Sequence, residues 1–182
     1  MTGNSSVRLN ADFYTRDVLA VAPDLIGKLL CHRHGDMVVK GRISEVEAYR
    51  GEQDTACHAR AGRTKRTEVL YMEGGHAYVY LCYGIHYLFN VVTGAEGDPQ
   101  AVLIRGLADV EGPGRLTKAL GITLDQNRVD LITSQTLWLE DEGFRPQIEA
   151  SRRIGIGYAT PEDQARLWRF TSVESQIPSD HS

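Results

Sequence analysis

The feature that most constrains this chain is an extended run from Met37 to Tyr49, which reads as one long strand and commits the fold to a sheet. In its latter part the two-residue period puts Ile43, Glu45, Glu47 and Tyr49 on one face and Ser44, Val46 and Ala48 on the other. Two carboxylates and an aromatic on one strand face are unusual. If that face is buried, the charges need partners or a chemical task.

The surrounding pattern decides the kind of sheet. Asp17 and Pro23 offer helix starts, and Leu25, Ile26, Leu29 and Leu30 recur at helical spacing after Pro23. His34-Gly35-Asp36 reads as a turn into the long strand, and Gly51 to Arg66 as a loop with a basic cluster at Arg60, Arg63, Lys65 and Arg66. From Tyr71 to Asn90 the chain holds five of its eight tyrosines. Glycines there punctuate two strand candidates, 77–82 and 86–92, with Tyr83-Gly84 at the bend. Gln100 to Leu107 is a further strand carrying Arg105, and Gly112-Pro113-Gly114 opens a short helix that Gly121 stops after Leu120. Strands outnumber helices without a βαβ rhythm, so the expected fold is α+β: a single domain around a mainly antiparallel sheet with flanking short helices.

Composition sets the outer limits. The 182 residues suffice for one domain with a real core, and 42% hydrophobic with 24% charged content excludes wholesale disorder. Polar residues 1–10 and 174–182 are expected to be disordered, leaving 11–173 as the folded domain. No apolar run approaches the ~18–20 residues of a membrane span, and the N-terminus lacks a signal-peptide core. Three scattered cysteines (Cys31, Cys57, Cys82) suit a reducing compartment, so a cytoplasmic protein is expected. The net charge of -4 gives no whole-protein footprint for nucleic acid.

Several groups could carry chemistry. Glu47 beside an aromatic can act as a general base on a water, or simply pair with a nearby arginine. Glu45, one pleat away, fits either role equally well. Tyrosines in strands mostly pack, but Tyr83 beside a glycine at a hairpin tip is hard to bury and could wedge between stacked bases. The basic loop could hold phosphates or be an ordinary solvated loop. Cys31-His32-Arg33-His34 is too tightly spaced for a zinc site and has no second ligand pair. Neither a glycine-rich nucleotide loop nor a serine-nucleophile signature is present.

In order and spacing, the chain resembles the alkyladenine (3-methyladenine) family of DNA glycosylases. The matching strings are Glu45-Val-Glu-Ala-Tyr49, Asp54-Thr-Ala-Cys-His58, Gly62-Arg-Thr-Lys-Arg66, Tyr78-Val-Tyr-Leu-Cys-Tyr-Gly84, Asn90, Ala101-Val-Leu-Ile-Arg105, Gly112-Pro-Gly-Arg-Leu116 and Arg153-Ile-Gly-Ile-Gly157. The resemblance implies a monofunctional enzyme that flips damaged purines from duplex DNA and hydrolyses their N-glycosidic bond. It implies a curved sheet, with neither metal nor organic cofactor. By the same resemblance Glu47 rather than Glu45 activates the water, and Tyr49, His58 and Tyr80 sandwich the flipped base. Tyr83 fills the gap in the helix, Asn90 crowds the amine of normal guanine, and Arg105 lies near the flipped nucleotide's phosphate and the water. A monomer acting at the nucleoid, or in the nucleus if eukaryotic, is expected.

Two departures accompany the likeness. Only Gly106 to Glu111 separate the arginine strand from the Gly-Pro-Gly turn, where many members carry a longer segment. The acidic balance means that DNA affinity must come from local clusters such as 60–66 and Arg152-Arg153, with a steep salt response. A non-catalytic module that binds damaged DNA, and a hydrolase of free nucleosides, are the rival readings. Loss of cleavage in Glu47→Gln with binding retained argues against the first, and a duplex-specific loss in Tyr83→Ala against the second.

Overall fold

The computed structural model describes residues 5–173. In chain order its elements are β1 (Val7–Arg8), α1 (Ala11–Tyr14), α2 (Val18–Leu25), β2 (Leu29–His34), β3 (Met37–Arg50), β4 (Ala77–Cys82) and β5 (His86–Val92). There follow β6 (Gln100–Leu107), β7 (Val110–Glu111), α3 (Pro113–Leu120), β8 (Leu137–Asp141), β9 (Gln147–Ser151), α4 (Pro161–Ala165) and β10 (Arg169–Val173). The strands lie in the order β1-β8-β2-β3-β6-β5-β4, with β10 joining β3 to β9 and β7 folding back on β6. Their pairings are antiparallel, and the helices are short, as an α+β domain requires.

Helices α2 and α3 cover one face of the sheet. Val21 and Leu25 of α2 and Leu116 and Leu120 of α3 pack there on Val46, Phe89, Val102 and Ile104. Each such buried side chain contributes roughly 1.5–3 kcal/mol. The other face is covered by the segment after β3, whose Cys57, Val69, Leu70 and Tyr71 pack on Tyr78, Val92 and Ala101. The candidate site forms between that segment and the sheet.

The structure corrects several local expectations. Asp17 does start a helix, its carboxylate accepting the Leu19 N–H at 2.9 Å, but Pro23 sits in the last turn of α2 rather than opening a new helix. Gly27, with φ of +91°, ends it, and Leu29 and Leu30 belong to a strand. A short apolar run fits both periods, and pairing with β3 and β8 decides it. Of the termini expected to be disordered, residues 1–4 and 174–182 lie outside the described residues. Residues 5–10, by contrast, contain β1, paired with β8, and Asn10, whose side chain caps α1. Ladder pairing and the Arg8 bond to the Leu131 carbonyl hold this segment in place.

The long strand carries the most consequential correction. Ile43 pairs with Leu107, Glu45 with Gly106 and Val46 with Ile104, so Ser44 is one residue extra on β3 and Arg105 one extra on β6. These offset bulges invert the alternation of both strands. Ile43 therefore joins Val46 and Ala48 in the core instead of sharing a face with Glu47 and Tyr49. Gly106 is needed at this point, because a side chain there would press on Ser44 and Glu45. Just beyond, the short connection from Gly106 closes as a tight hairpin, Leu107 pairing with Val110.

Candidate active site

Glu47 is fully buried, and all its polar contacts come from different parts of the fold. Its Oε1 accepts from the Tyr49 hydroxyl at 2.9 Å and from Arg105 Nη1 at 3.5 Å, and its Oε2 accepts from the Ile154 N–H at 2.6 Å. Burial pushes the Glu47 carboxyl above the usual carboxylate range, against the opposing pull of Arg105, the Ile154 N–H and Tyr49. Glu45 is held differently. It accepts from Arg105 Nε at 3.1 Å and from Arg169 Nε at 2.7 Å, so two cations neutralise it at a partly exposed position. The two carboxylates that strand alternation left equivalent differ in their partners: Glu45 is held by two arginines at a partly exposed position, and Glu47 is desolvated.

Tyr49, bonded to Glu47, is also one wall of a cavity of about 50 Å³ whose other walls include His58, Tyr78, Tyr80, Asn90 and Tyr158. Three elements meet there: β3 supplies Tyr49, the 3-10 turn at 58–61 supplies His58, and the β4–β5 hairpin supplies the rest except Tyr158. Asn90 is buried, its Nδ2 donating to the Tyr78 carbonyl at 3.2 Å. His58 Nδ1 lies 3.0 Å from the Tyr78 hydroxyl. Burial, assisted by the charges of Arg66 and Arg60, lowers the His58 pKa to about 4, so the ring is neutral at pH 7. A neutral ring accepts the Tyr78 proton at Nδ1 and keeps its own on Nε2.

The rings are close-packed. His58 and Tyr80 meet edge-on, centroids 4.6 Å apart, and Tyr78 tilts against Tyr80 at 5.3 Å. A flat base between two walls needs about 7–8 Å, twice the ~3.5–4.0 Å optimum for carbon contact. Tyr49, His58 and Tyr80 therefore converge on one cavity, but no base-thick slot stands between His58 and Tyr80.

Outside the cavity the character changes. Tyr83 is 92% exposed at the tip of the β4–β5 hairpin, beside Ile85 at 72%. Tyr83 and Gly84 have φ of 52° and 68°, and the Ile85 N–H closes the turn on the Cys82 carbonyl. Positive φ at both central residues matches the strand twist but strains a tyrosine by roughly 1–2 kcal/mol. In the basic loop, Arg60 stacks on Tyr158 at 4.7 Å, Arg63 on Tyr71 at 5.6 Å and Arg66 on Tyr80 at 5.3 Å, with Lys65 exposed beside them. The loop is therefore a rim fastened to the cavity by aromatic faces.

One expected DNA contact is overturned. Arg153 is buried, both its terminal nitrogens bonded to Asp54, and cannot reach a phosphate, whereas Arg152 is exposed. The tight histidine string also has a structural use: His32 Nδ1 and His34 Nε2 lie 2.7 and 2.9 Å from the Leu120 carbonyl at the end of α3. Among the described residues, no group of three His, Cys, Asp or Glu side chains is placed to hold a metal, and the three cysteines are unpaired. Three participants escaped the sequence reading. Tyr78 shares a strand face with Tyr80, a signal that alternation carries; Tyr158 and the Ile154 N–H come from an irregular segment with no such signal.

Fold and site together define an α+β protein with a desolvated carboxylate bonded to one wall of an aromatic cavity, and with a basic rim stacked on its rings. The sequence profile of methylpurine-DNA glycosylase matches residues 12–111 and 108–176, and the chain belongs to that family. The two matched stretches overlap at residues 108–111, within the tight hairpin that closes between Leu107 and Val110. A protein of Borrelia garinii subsp. bavariensis, provisionally named a 3-methyladenine DNA glycosylase, is 44% identical over 92% of this chain and 97% of its own length. A Sodalis glossinidius protein of the same provisional name is 43% identical over 93% of this chain and 99% of its own length. No helix among the described residues is long and apolar enough to cross a membrane.

Proposed function

We propose that this protein is a monofunctional DNA glycosylase that flips alkylated or deaminated purines out of duplex DNA and hydrolyses their N-glycosidic bond, initiating base excision repair. The observation that carries the reading is Glu47, a buried carboxylate of raised pKa bonded to the hydroxyl of Tyr49, which walls an aromatic cavity. A base within the duplex cannot be attacked at its sugar bond, so it is extruded at a cost of a few kcal/mol, least for damaged or mispaired bases. In the cavity a purine made cationic by alkylation gains about 0.5–2 kcal/mol on aromatic faces. Glu47 then takes a proton from water as the water oxygen bonds to C1′. The C1′–N bond breaks, and its electron pair leaves with the base. The carboxylate also offers negative charge to the sugar cation that develops.

The remaining residues take supporting parts. Arg105 holds Glu47 and Glu45 together; Tyr49, His58 and Tyr80 contact the base; Asn90, pinned to the Tyr78 carbonyl, crowds the guanine amine. Tyr83 fills the vacated space in the duplex, and Arg60, Arg63, Lys65 and Arg66 meet backbone phosphates. The protein acts as a monomer where genomic DNA lies, and the reaction calls on no cofactor. The test is single-turnover base release from duplexes carrying 7-methylguanine, 3-methyladenine, hypoxanthine or ethenoadenine, with wild type beside Glu47→Gln. Release by wild type alone supports the reading. Binding of lesions without release from any of them overturns it in favour of a damage-binding module.

A further inference from the structure

We infer that Arg153 is a positioning residue for base release, a buried clamp that holds Glu47 and Tyr49 in fixed relation to the loop carrying His58; the inference rests on the function proposed above. Arg153 Nη1 donates to Asp54 Oδ2 at 2.7 Å and to the Ala48 carbonyl at 3.0 Å, and Nη2 donates to Asp54 Oδ1 at 3.0 Å and to the Asp163 carbonyl at 3.3 Å. Ala48 is the residue between Glu47 and Tyr49. The guanidinium lies 4.9 Å from the Tyr49 ring centre and 5.0 Å from that of Trp168. The next residue, Ile154, supplies the N–H that holds Glu47 Oε2 at 2.6 Å. One arginine therefore touches the backbone between base wall and carboxylate, backs the wall itself, and anchors the donor on the carboxylate.

Its counterion completes the device. Asp54 also accepts the N–H groups of Arg50 at 3.0 Å and Ala56 at 3.1 Å, which fixes the start of the loop leading to Cys57 and His58. Stability alone gives little reason for such a pair, since exchanging a buried ion pair for apolar residues is often neutral or stabilising. Arg153 even leaves its Nε without a hydrogen-bond partner among the described residues. Geometry supplies the reason: fork-shaped donors reach two strands of contact that a lysine cannot reproduce.

The groups facing Glu47 are Tyr49 and Glu45 on its own strand, Arg105 from β6, Arg169 from β10, and the Arg153–Ile154 segment. Of these, Arg153 and the Ile154 N–H both favour the ionised carboxylate. Removing the clamp raises the proton affinity of Glu47 and loosens its aim. The experiment compares wild type, Arg153→Lys and Arg153→Met by single-turnover release across pH, duplex affinity, and the carbon-13 NMR titration of the Glu47 carboxyl.

In Arg153→Met the acid limb of the rate profile moves up by about one pH unit, a tenfold change in ionised fraction below it. The plateau rate falls about 100-fold, as for a reacting group misplaced by 1 Å, while duplex affinity stays within threefold. Arg153→Lys, which keeps charge without the fork, shifts the limb less and is the informative variant if the methionine protein does not fold. A folded variant with wild-type limb, plateau and NMR midpoint overturns the clamp. Absence of base release by wild type overturns the glycosylase reading instead, and the NMR midpoint then still judges the clamp.

Discussion

Tyr80 and Tyr83 stand three residues apart on one hairpin in opposite surroundings. At the root of the hairpin every polar contact is made inside the protein: Tyr78 with His58, Asn90 with the Tyr78 carbonyl, Glu47 with Tyr49, Arg105 and Ile154. At its tip Tyr83 and Ile85 project into solvent on strained backbone, and the neighbouring basic loop is exposed. The interior gains its properties from desolvation, which raises one pKa and lowers another. The rim gains its properties from exposure, strain and positive charge. Under the proposed function the interior carries the chemistry and the rim the grip on DNA, so substitutions should divide the two activities.

The interior should show the largest effect. Glu47→Gln is expected to cut single-turnover release by about 10²–10⁴-fold, the range for a lost general base, while duplex affinity stays within threefold. The same change should also remove the part of the pH dependence of stability that Glu47 contributes, read by denaturant titration across pH. The sign follows from burial. With its folded pKa raised, Glu47 costs stability as pH climbs above its ordinary value, a dependence that glutamine lacks. A variant that loses binding together with cleavage would merge what the comparison separates.

His58 should show next, in stability. Its folded pKa of about 4 lies below its ordinary 6.5, so as pH falls through that window the unfolded chain takes up the proton first and stability drops. The full effect is about 3 kcal/mol at most. It is present above pH 6.5 and lost by pH 4, and His58→Phe should flatten this part of the curve in denaturant titrations.

The rim effects are smaller. Tyr83→Ala should slow duplex processing by roughly 10–100-fold, the 1–3 kcal/mol of one stacking contact, without touching the pH profile. The double change Arg63→Ala and Lys65→Ala should reduce the slope of log affinity against log salt by about 2, near 0.9 per phosphate released. An unchanged slope would place the phosphates elsewhere. Smallest is Tyr83→Gly, which relieves the left-handed backbone and should stabilise the free protein by up to about 1 kcal/mol even as duplex processing falls.

Sequence alone carried the outline of the fold further than its details. The hairpin 77–92 was legible because glycines marked its bend and alternation placed its tyrosines. The short helix after Gly112 was legible because proline and glycine bracket it. Alternation failed where it was interrupted, at Ser44 and Arg105, since nothing in single-strand periodicity reveals that a neighbour carries a compensating extra residue. The helix assigned after Pro23 failed because Leu29 and Leu30 suit either period, and long-range pairing decided between them. Arg153 was placed with the DNA contacts since a sequence displays charge but not the Asp54 that buries it, 99 residues away in the chain. The Ile154 N–H on Glu47 is a backbone group, and no side-chain pattern points to it.

The paired bulges have a consequence for how such a site changes over generations. Substitutions along β3 act in graded steps, each altering one contact. Loss of the single codon for Ser44 is of another kind: it restores strict alternation from Ile43 onward. Every remaining side chain then keeps its face, Val46 and Ala48 in the core with Ile43, and Glu47 on the opposite side, because the residue lost is the surplus one. The surplus residue is thus the place where the strand can absorb a change of length: a one-residue deletion elsewhere on β3 puts the side chains on its two sides out of phase, whereas at Ser44 it leaves Glu47 and the core on their present faces.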